Sequence, residues 1–212
     1  MRRIAALIST VVVALGILTC SPSGGPVMST DGRGDLTPCA GYRWSLKIGL
    51  DPAARSLDLT PQITTIAALD GIGLTNVQLG VRSAPAETTV YELQNVIVVR
   101  TYSEPDLDNH IIVRDKTGKR ITLESTDPSC ARGSAFASQI AAVRSALDTL
   151  KPSAGSVLSV VGVGFYDVPG SQGMELHPLL SVCVGRNCQP AVAFTRAKTS
   201  GGESGLRPDS GF

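Results

Sequence analysis

The sequence predicts a mainly β protein: a five-stranded barrel with one packed amphipathic helix, in the order β-β-β-α-β-β. Two observations support this class. Runs rich in β-branched and aromatic residues are separated by turn signals, and one apolar stripe at helical spacing divides the third run from the fourth. A hydrophobic content of 42% is sufficient for a packed core.

The first three strands follow from local pattern. Val90–Tyr102 is a long β-rich run. A strand of that length must bend in a small barrel, so we expect a bulge near Gln94. His110–Asp115 and Arg120–Ser125 form the next hairpin, and Pro128 ends it because proline cannot donate to a ladder.

The helix follows from an apolar stripe with spacings of four and three. Its members are Phe136, Ile140, Val143, Leu147 and Leu150. We expect Ser134 to cap its start and Pro152 to follow its end. Val157–Phe165 and Glu175–Val184 then complete the barrel, and Ala191–Phe194 is a candidate extension of the sheet. This element order is that of the OB-like barrels, which bind ligands on the face between the first and last inter-strand loops.

The N-terminus predicts export. Residues 1–20 have the form of a signal peptide, with a basic start and an apolar run, Ile4–Leu18, that is short for a membrane span. Cys20 is preceded by a lipobox-like segment in which Thr19 replaces the usual small residue. Two alternatives therefore stay open: secretion, or membrane attachment through a lipid on Cys20.

The remaining chain divides by composition. Residues 21–41 predict a flexible linker, 88–195 the barrel domain and 196–212 a disordered tail. Residues 42–87 predict an N-terminal strand with a capping segment. The strand is Tyr42–Gly49, from its alternation of apolar residues, and it should bury the only tryptophan. The capping segment contains one or two helical turns at Ile63–Leu69.

Four cysteines remain when Cys20 is set aside, an even number in a chain predicted to be exported. Three pairings are open. We favour Cys183–Cys188, because the four residues between them form a tight turn. That choice leaves Cys39–Cys130, which would join the N-terminal segment to the start of the helix. A zinc site of Cys183, Cys188 and His177 is the alternative, but its Cys-x4-Cys spacing has no second half.

Charge and composition argue against nucleic-acid binding. The formal net charge is +1, and removal of a leader containing Arg2 and Arg3 leaves 17 basic against 18 acidic residues. Aromatic content is 4%, which gives little for bases to stack on. The expected partner is an unidentified small or extracellular ligand, with membrane contact only through a lipid on Cys20.

The two histidines lie beside the loops that flank the predicted ligand face. His110 follows the loop Ser103–Asn109, and His177 follows Asp167–Gly173. With nearby carboxylates they form a weak candidate set for ligand binding. Its members are Asp108, His110, Asp167, Glu175 and His177. The alternative is that both histidines bond only within the fold.

No cofactor, metal or catalytic residue is assigned from the sequence. Glu104, Asp106 and Asp108 are spaced like acids that wrap a hard cation, but the glycine and later glutamate of a calcium loop are missing. The chain also lacks a Gly-x-Ser-x-Gly elbow, a phosphate loop and a His-Glu-x-x-His motif. These absences make an enzyme the less favoured class.

The run Ile97–Arg100 through Asp127-Pro128 and the helix resembles the layout of staphylococcal-nuclease-like domains. That resemblance implies an OB-like fold, with Asp108 and Asp127 at positions of the family's acids. Ser129 and Cys130 stand where the catalytic glutamate is expected, and Thr122 where the arginine is expected. The resemblance therefore implies fold and not activity.

Residues Val161–Asp167 (VGVGFYD) and Gly173–Pro178 (GMELHP) resemble paired motifs of an uncharacterised family of secreted bacterial proteins. Asp127–Cys130 and Tyr91–Leu93 fit the same family. This resemblance implies export and fold, without a known activity.

These observations predict an exported, non-catalytic binding or interaction module whose ligand is unknown. One alternative is a divergent secreted nuclease-like hydrolase using Asp108, Asp127, Glu175 and His177. The other is a structural envelope protein.

Overall fold

The structure is a computed structural model that describes residues 38–73, 77–168 and 173–191. The predicted signal peptide, Cys20, most of the linker, the residues after Ala191 and the tail lie outside these ranges. Among the described residues, no helix is both long enough and apolar enough to cross a membrane.

Five strands close into a barrel, which confirms the predicted mainly β class. The described residues form six strands, of which the last five make the barrel: β1 (Gln62–Thr64), β2 (Val90–Ser103), β3 (Asn109–Arg114), β4 (Arg120–Ser125), β5 (Val157–Asp167) and β6 (Gly173–Val184). Their order is β1-β2-β3-β4-β6-β5, and a further pairing of β2 with β5 closes β2–β6 into the barrel. The short β1 adds to β2 in parallel. A closed five-stranded barrel with a helix between its third and fourth strands is compatible with an OB-like fold.

The strand β2 bends as its length requires, because it pairs with both β3 and β5. Its register against β5 shifts between Leu93 and Val96. Asn95 in this interval has a φ of 53°, a left-handed conformation that asparagine tolerates better than most residues. The predicted bulge near Gln94 is confirmed.

In the described part of the chain, three α-helices accompany the barrel: α1 (Trp44–Lys47), α2 (Ile66–Asp70) and α3 (Ala137–Leu150). The amphipathic helix α3 lies between β4 and β5 in the chain and buries Ile140, Val143 and Leu147. Ser134 is not the N-cap residue, which is Phe136, but the Ser134 hydroxyl accepts a hydrogen bond from the Phe136 amide. Leu150, the last residue of α3 and of the stripe, is half exposed.

The predicted strand at Tyr42–Gly49 is wrong. Residues Trp44–Lys47 form α1, flanked by Arg43 and Gly49 in left-handed conformations. The Gly49 backbone lies so close to the Phe136 ring that a Cβ atom there would be 2.3 Å from it. The backbone of this segment is therefore helical and turned, and not extended. Trp44, which was expected to be buried, is only half-buried.

Apolar residues pack on both sides of the barrel wall. The main core fills the interior and includes Leu93, Leu123 and Leu176. A second cluster lies on the outside of β5, where Val161 and Val163 pack against Phe136. Residues 39–51, named here the N-terminal cover, lie against this outer side of the barrel.

The N-terminal cover is attached by covalent and polar contacts. Both favoured disulfides are present, and Cys39–Cys130 joins the start of the cover to the segment before α3. At its other end, the Ala135 amide donates to the Gly49 carbonyl at 2.9 Å. The cover therefore closes one face of the barrel from solvent.

Candidate functional site

Ionisable side chains meet on the outer face of the barrel beneath the N-terminal cover. Leu123 and Leu176 are register partners on β4 and β6 and point into the core. Because side chains alternate along a strand, their neighbours Glu124, Glu175 and His177 point outward. His110 is the register partner of Glu124 and joins them from β3.

Two further side chains complete this group, which we name the polar cluster: Lys47, Asp108, His110, Glu124, Glu175 and His177. Lys47 comes from α1 in the cover. Asp108 comes from the β2–β3 loop, which is tied to the cover by the Cys39 amide donating to the Asp106 carbonyl at 3.3 Å. The side chains of Asp108, Glu124 and His177 have no exposed surface.

His177 lies at the centre of the polar cluster, between two carboxylates. Its Nδ1 atom is 2.5 Å from Glu124 Oε2, and its Nε2 atom is 3.3 Å from Asp108 Oδ2. Nε2 is also 3.1 Å from the hydroxyl of Thr126, and Nδ1 is 3.7 Å from Glu175 Oε1. The imidazole therefore contacts all three acids of the cluster.

Lys47 balances part of the acidic charge. Its Nζ atom lies 3.3 Å from Glu124 Oε2 and 3.9 Å from Glu175 Oε1. It also lies 5.6 Å from the centre of the Phe165 ring, within range of a cation–π contact. The ammonium is thus held between two carboxylates and an aromatic face.

His110 connects the polar cluster to the surface. Its Nε2 atom is 3.2 Å from Glu124 Oε1. Its Nδ1 atom is 3.2 Å from the Tyr102 hydroxyl and 3.7 Å from Glu104 Oε1. His110 is the one histidine of the chain that has solvent contact, since its side chain is 12% exposed and that of His177 is 0% exposed.

Burial and neighbouring charges shift the pKa values in opposite directions. Burial would raise the pKa of Glu124, but the charges of His177 and Lys47 hold it well below its usual range. Burial would likewise lower the pKa of His177, yet the Glu124 carboxylate raises it to about 10. Glu124 and His177 therefore form an ion pair at neutral pH.

The other two acids shift upward. Burial, helped by the Glu124 charge, raises the pKa of Glu175 to about 8. Burial also raises the pKa of Asp108 to about 6, although the charge of His177 opposes it. Glu175 consequently keeps its proton at neutral pH when its neighbours are charged as described.

Several atoms of the polar cluster lack hydrogen-bond partners among the described residues. They include both carboxylate oxygens of Asp108 and of Glu175, Glu124 Oε1 and His177 Nδ1. Two contacts of His177 are within ion-pair distance but outside hydrogen-bond geometry. One joins its Nε2 atom to Asp108 Oδ2, and the other joins its Nδ1 atom to Glu124 Oε2. Buried polar groups are normally satisfied, so this density of unsatisfied atoms marks the cluster as unusual.

The structure brings together four of the five predicted site residues: Asp108, His110, Glu175 and His177. The fifth, Asp167, ends β5 opposite Gly173. It interacts electrostatically with Lys47 of the polar cluster. Burial would lower the pKa of Lys47, but the charges of Glu124, Glu175 and Asp167 raise it above its usual range. The rest of the predicted loop, residues 169–172, lies outside the described residues.

Sequence reasoning missed Glu124 and Lys47. Glu124 faces the same side as His110 only in the observed register, because symmetric pairing of the predicted hairpin strands places Ser125 opposite His110. Lys47 had no local signal either, since it is 77 positions from Glu124 and its segment was predicted as a strand.

Two other predicted groupings do not form. Asp127 lies apart from the polar cluster's contacts, accepts hydrogen bonds from the Ser129 amide and hydroxyl, and is 3.9 Å from Arg144. Cys183 is bonded to Cys188, which removes both sulfurs from the alternative zinc site with His177.

An open groove lies on the surface where the ends of β2 and β3 approach the C-terminal end of α3. It has a volume of about 450 Å³. Ile111 and Leu147 give it an apolar part, and polar side chains surround this part. These are Thr101, Tyr102, Ser103, Asn109, Asp148, Lys151 and Ser153. Two of them, Ser103 and Asn109, belong to the predicted ligand face.

No known family model matches this chain, and no curated protein matches it either.

Proposed function

We propose that this chain is an exported, non-catalytic binding module that takes a small polar molecule without net charge in the groove. The observation that carries this proposal is the groove itself. It is concave and open to solvent, and it combines an apolar part with a few polar groups, as small-molecule sites commonly do.

The charges around the groove favour a ligand that is neutral or zwitterionic. One acid, Asp148, and one base, Lys151, line it, and the remaining polar groups are uncharged. Asp148 lies 3.7 Å from Arg144 on the same helix face, so its charge is partly balanced. A strongly charged ligand would therefore meet one repulsive partner.

Tyr102 supplies a positioned aromatic ring at the groove. Its hydroxyl contacts His110 at 3.2 Å, and the Arg100 guanidinium lies 5.0 Å from the ring centre. A ring held by two neighbouring side chains loses little further freedom on binding, which favours affinity.

The burial of the polar cluster supports binding over catalysis. A hydrolase centred on Asp108, Glu175 and His177 would need a substrate to reach side chains that have at most 1% exposed surface. Asp127, the other acid of that alternative, is engaged elsewhere. Hydrolysis would thus require displacement of the N-terminal cover.

Export is supported by the two disulfides, which are more typical of extracellular proteins. The signal-peptide-like leader and the resemblance of two sequence stretches to motifs of secreted bacterial proteins support the same proposal. Secretion, a lipid on Cys20 and membership of that family are parts of the proposal.

Chemical-shift mapping tests the groove. A ¹⁵N-labelled sample is titrated with neutral mono- and disaccharides and, separately, with zwitterionic amino acids. We expect one series to shift resonances of residues 101–111 and 147–153, and Tyr102→Ala to weaken that binding at least about tenfold. Tyr42→Ala, a half-buried tyrosine in the cover, is the matched control. No shifts with either series, or shifts away from the groove, would contradict the proposal.

A further inference from the structure

The polar cluster has the donors, burial and charge of a metal centre. Asp108, Glu124 and His177 each offer one ligand atom, and these atoms lie within 4.8 Å of one another. Ligand atoms at about 2.0–2.2 Å from a tetrahedral zinc ion lie roughly 3.3–3.6 Å apart, so the most widely separated pair would have to close by up to roughly 1.5 Å for all three to coordinate one ion. The donors come from the β2–β3 loop, β4 and β6, which the barrel and the cover hold together.

An independent observation is the unsatisfied state of Asp108. Its side chain is fully buried, both of its oxygens lack a hydrogen-bond partner among the described residues, and one of them faces His177 at 3.3 Å. A buried carboxylate without donors is costly unless it is paired or coordinates a metal. In the same cluster Glu124 Oε1 is also unsatisfied.

Formal charge allows a divalent ion to take the place of two protons. With both imidazoles neutral, three carboxylates and one ammonium leave the polar cluster at −2. A divalent cation would bring this buried volume to neutrality. Without one, the protons on His177 and Glu175 neutralise it, and these are the two states that an experiment has to separate.

We propose that Asp108, Glu124 and His177 bind a first-row transition-metal ion, with Zn²⁺ as the best fit. One imidazole and two carboxylates suit zinc and its neighbours. Calcium prefers six to eight oxygen ligands, and magnesium keeps several waters, for which a sealed cluster has little room. Binding of the divalent ion displaces two protons to solvent, one from the His177 imidazole and one from the Glu175 carboxyl group, so the charge of the cluster is unchanged.

Glu175 and Lys47 act beside the ligands as positioning residues. Glu175 Oε1 is 3.7 Å from His177 Nδ1, and Lys47 Nζ is 3.3 Å from Glu124 Oε2. Such neighbours orient ligands and tune affinity. His110, 3.2 Å from Glu124 Oε1, would connect the ion to Tyr102 in the groove.

The test is Zn²⁺ binding by the purified, disulfide-bonded protein after treatment with a chelator. Native mass spectrometry should show one Zn²⁺ per folded chain. Asp108→Asn and Glu124→Gln should each weaken binding at least about tenfold. Glu92→Gln, a buried acid on β2 whose carboxylate accepts from Gln94, should bind as the wild type does. Cys20 is unchanged in every variant, so adventitious binding there cancels.

A second measurement needs no variant. The chain has only two histidines, so their ring ¹⁵N resonances can be assigned directly. Zn²⁺ should shift the His177 ring strongly and His110 less, and Co²⁺ should give a visible spectrum without sulfur ligation. Absence of a bound ion in the wild type, equal binding by Asp108→Asn, or a preference for Ca²⁺ would each overturn the proposal.

Discussion

Two groups of buried charges lie beneath the same N-terminal cover, and they are satisfied very differently. The first, named here the arginine network, consists of the pairs Arg43–Glu87 and Arg82–Asp51. The second is the polar cluster. Both contain carboxylates that are nearly inaccessible to solvent, but the number of donors that each carboxylate meets separates them.

The carboxylates of the arginine network are saturated. Glu87 accepts from both terminal nitrogens of Arg43 and from the amides of Ser83 and Tyr166, at 2.5–2.9 Å. Asp51 accepts from Arg82 through two nitrogens and from the Ala54 amide. Within the described residues, Arg43 Nε is the one side-chain atom of this network without a hydrogen-bond partner.

The polar cluster has the opposite character. Asp108 and Glu175 meet no hydrogen-bond donor for either oxygen among the described residues. The comparison teaches that burial and charge alone do not mark a site. A saturated network fixes the cover in place, whereas an unsaturated one leaves binding capacity that a cation can use.

Breaking the arginine network should have the largest effect on stability. Glu87→Gln leaves Arg43 charged and buried, and removing one partner of a buried pair costs about 3–5 kcal/mol. Denaturant unfolding followed by circular dichroism measures the loss. Glu92→Gln is the matched substitution on a buried acid without an arginine partner, and it should cost clearly less. Equal losses in the two variants would show that pairing with arginine adds nothing to the stability contributed by a buried glutamate.

Removing the covalent tie of the cover should have the next largest effect. The double variant Cys39→Ser, Cys130→Ser opens a loop with a sequence separation of 91 and should cost about 2–4 kcal/mol. Cys183→Ser, Cys188→Ser opens a separation of only 5 and should cost less.

Hydrogen exchange extends the same comparison. Loss of Cys39–Cys130 should increase exchange at the amides of the cover, around Leu46 and Lys47, more than in the barrel strands. Unchanged protection there would mean that the arginine network holds the cover without the disulfide.

Much of the fold could be predicted because its signals are local. The stripe of α3 repeats over four turns, and the bulge near Gln94 follows from the length of one strand. The pairing Cys183–Cys188 follows from a short spacing. In each case the residues that decide the structure are close in sequence, so their pattern is visible before folding.

The missed parts depend on contacts between distant segments. Tyr42–Gly49 alternates like a strand, but close packing of Gly49 against Phe136 makes the chain turn. Symmetric pairing of the predicted hairpin strands would place His110 opposite Ser125, whereas the observed register places it opposite Glu124. An offset of one residue changes which side chain faces His110, and for this reason the sequence pattern does not identify Glu124 as a member of the polar cluster.

The smallest effect should come from the polar cluster itself, in the absence of metal. Glu175→Gln removes a carboxylate that accepts no hydrogen bond and whose pKa is raised by burial to about 8. The neutral amide resembles the protonated acid in shape, so stability should change by less than about 1 kcal/mol. Set beside Glu87→Gln in the same chelator-treated buffer, it compares two buried glutamates under one cover. A loss as large as that of Glu87→Gln would mean that Glu175 has donors that matter, and that the cluster is saturated without an ion.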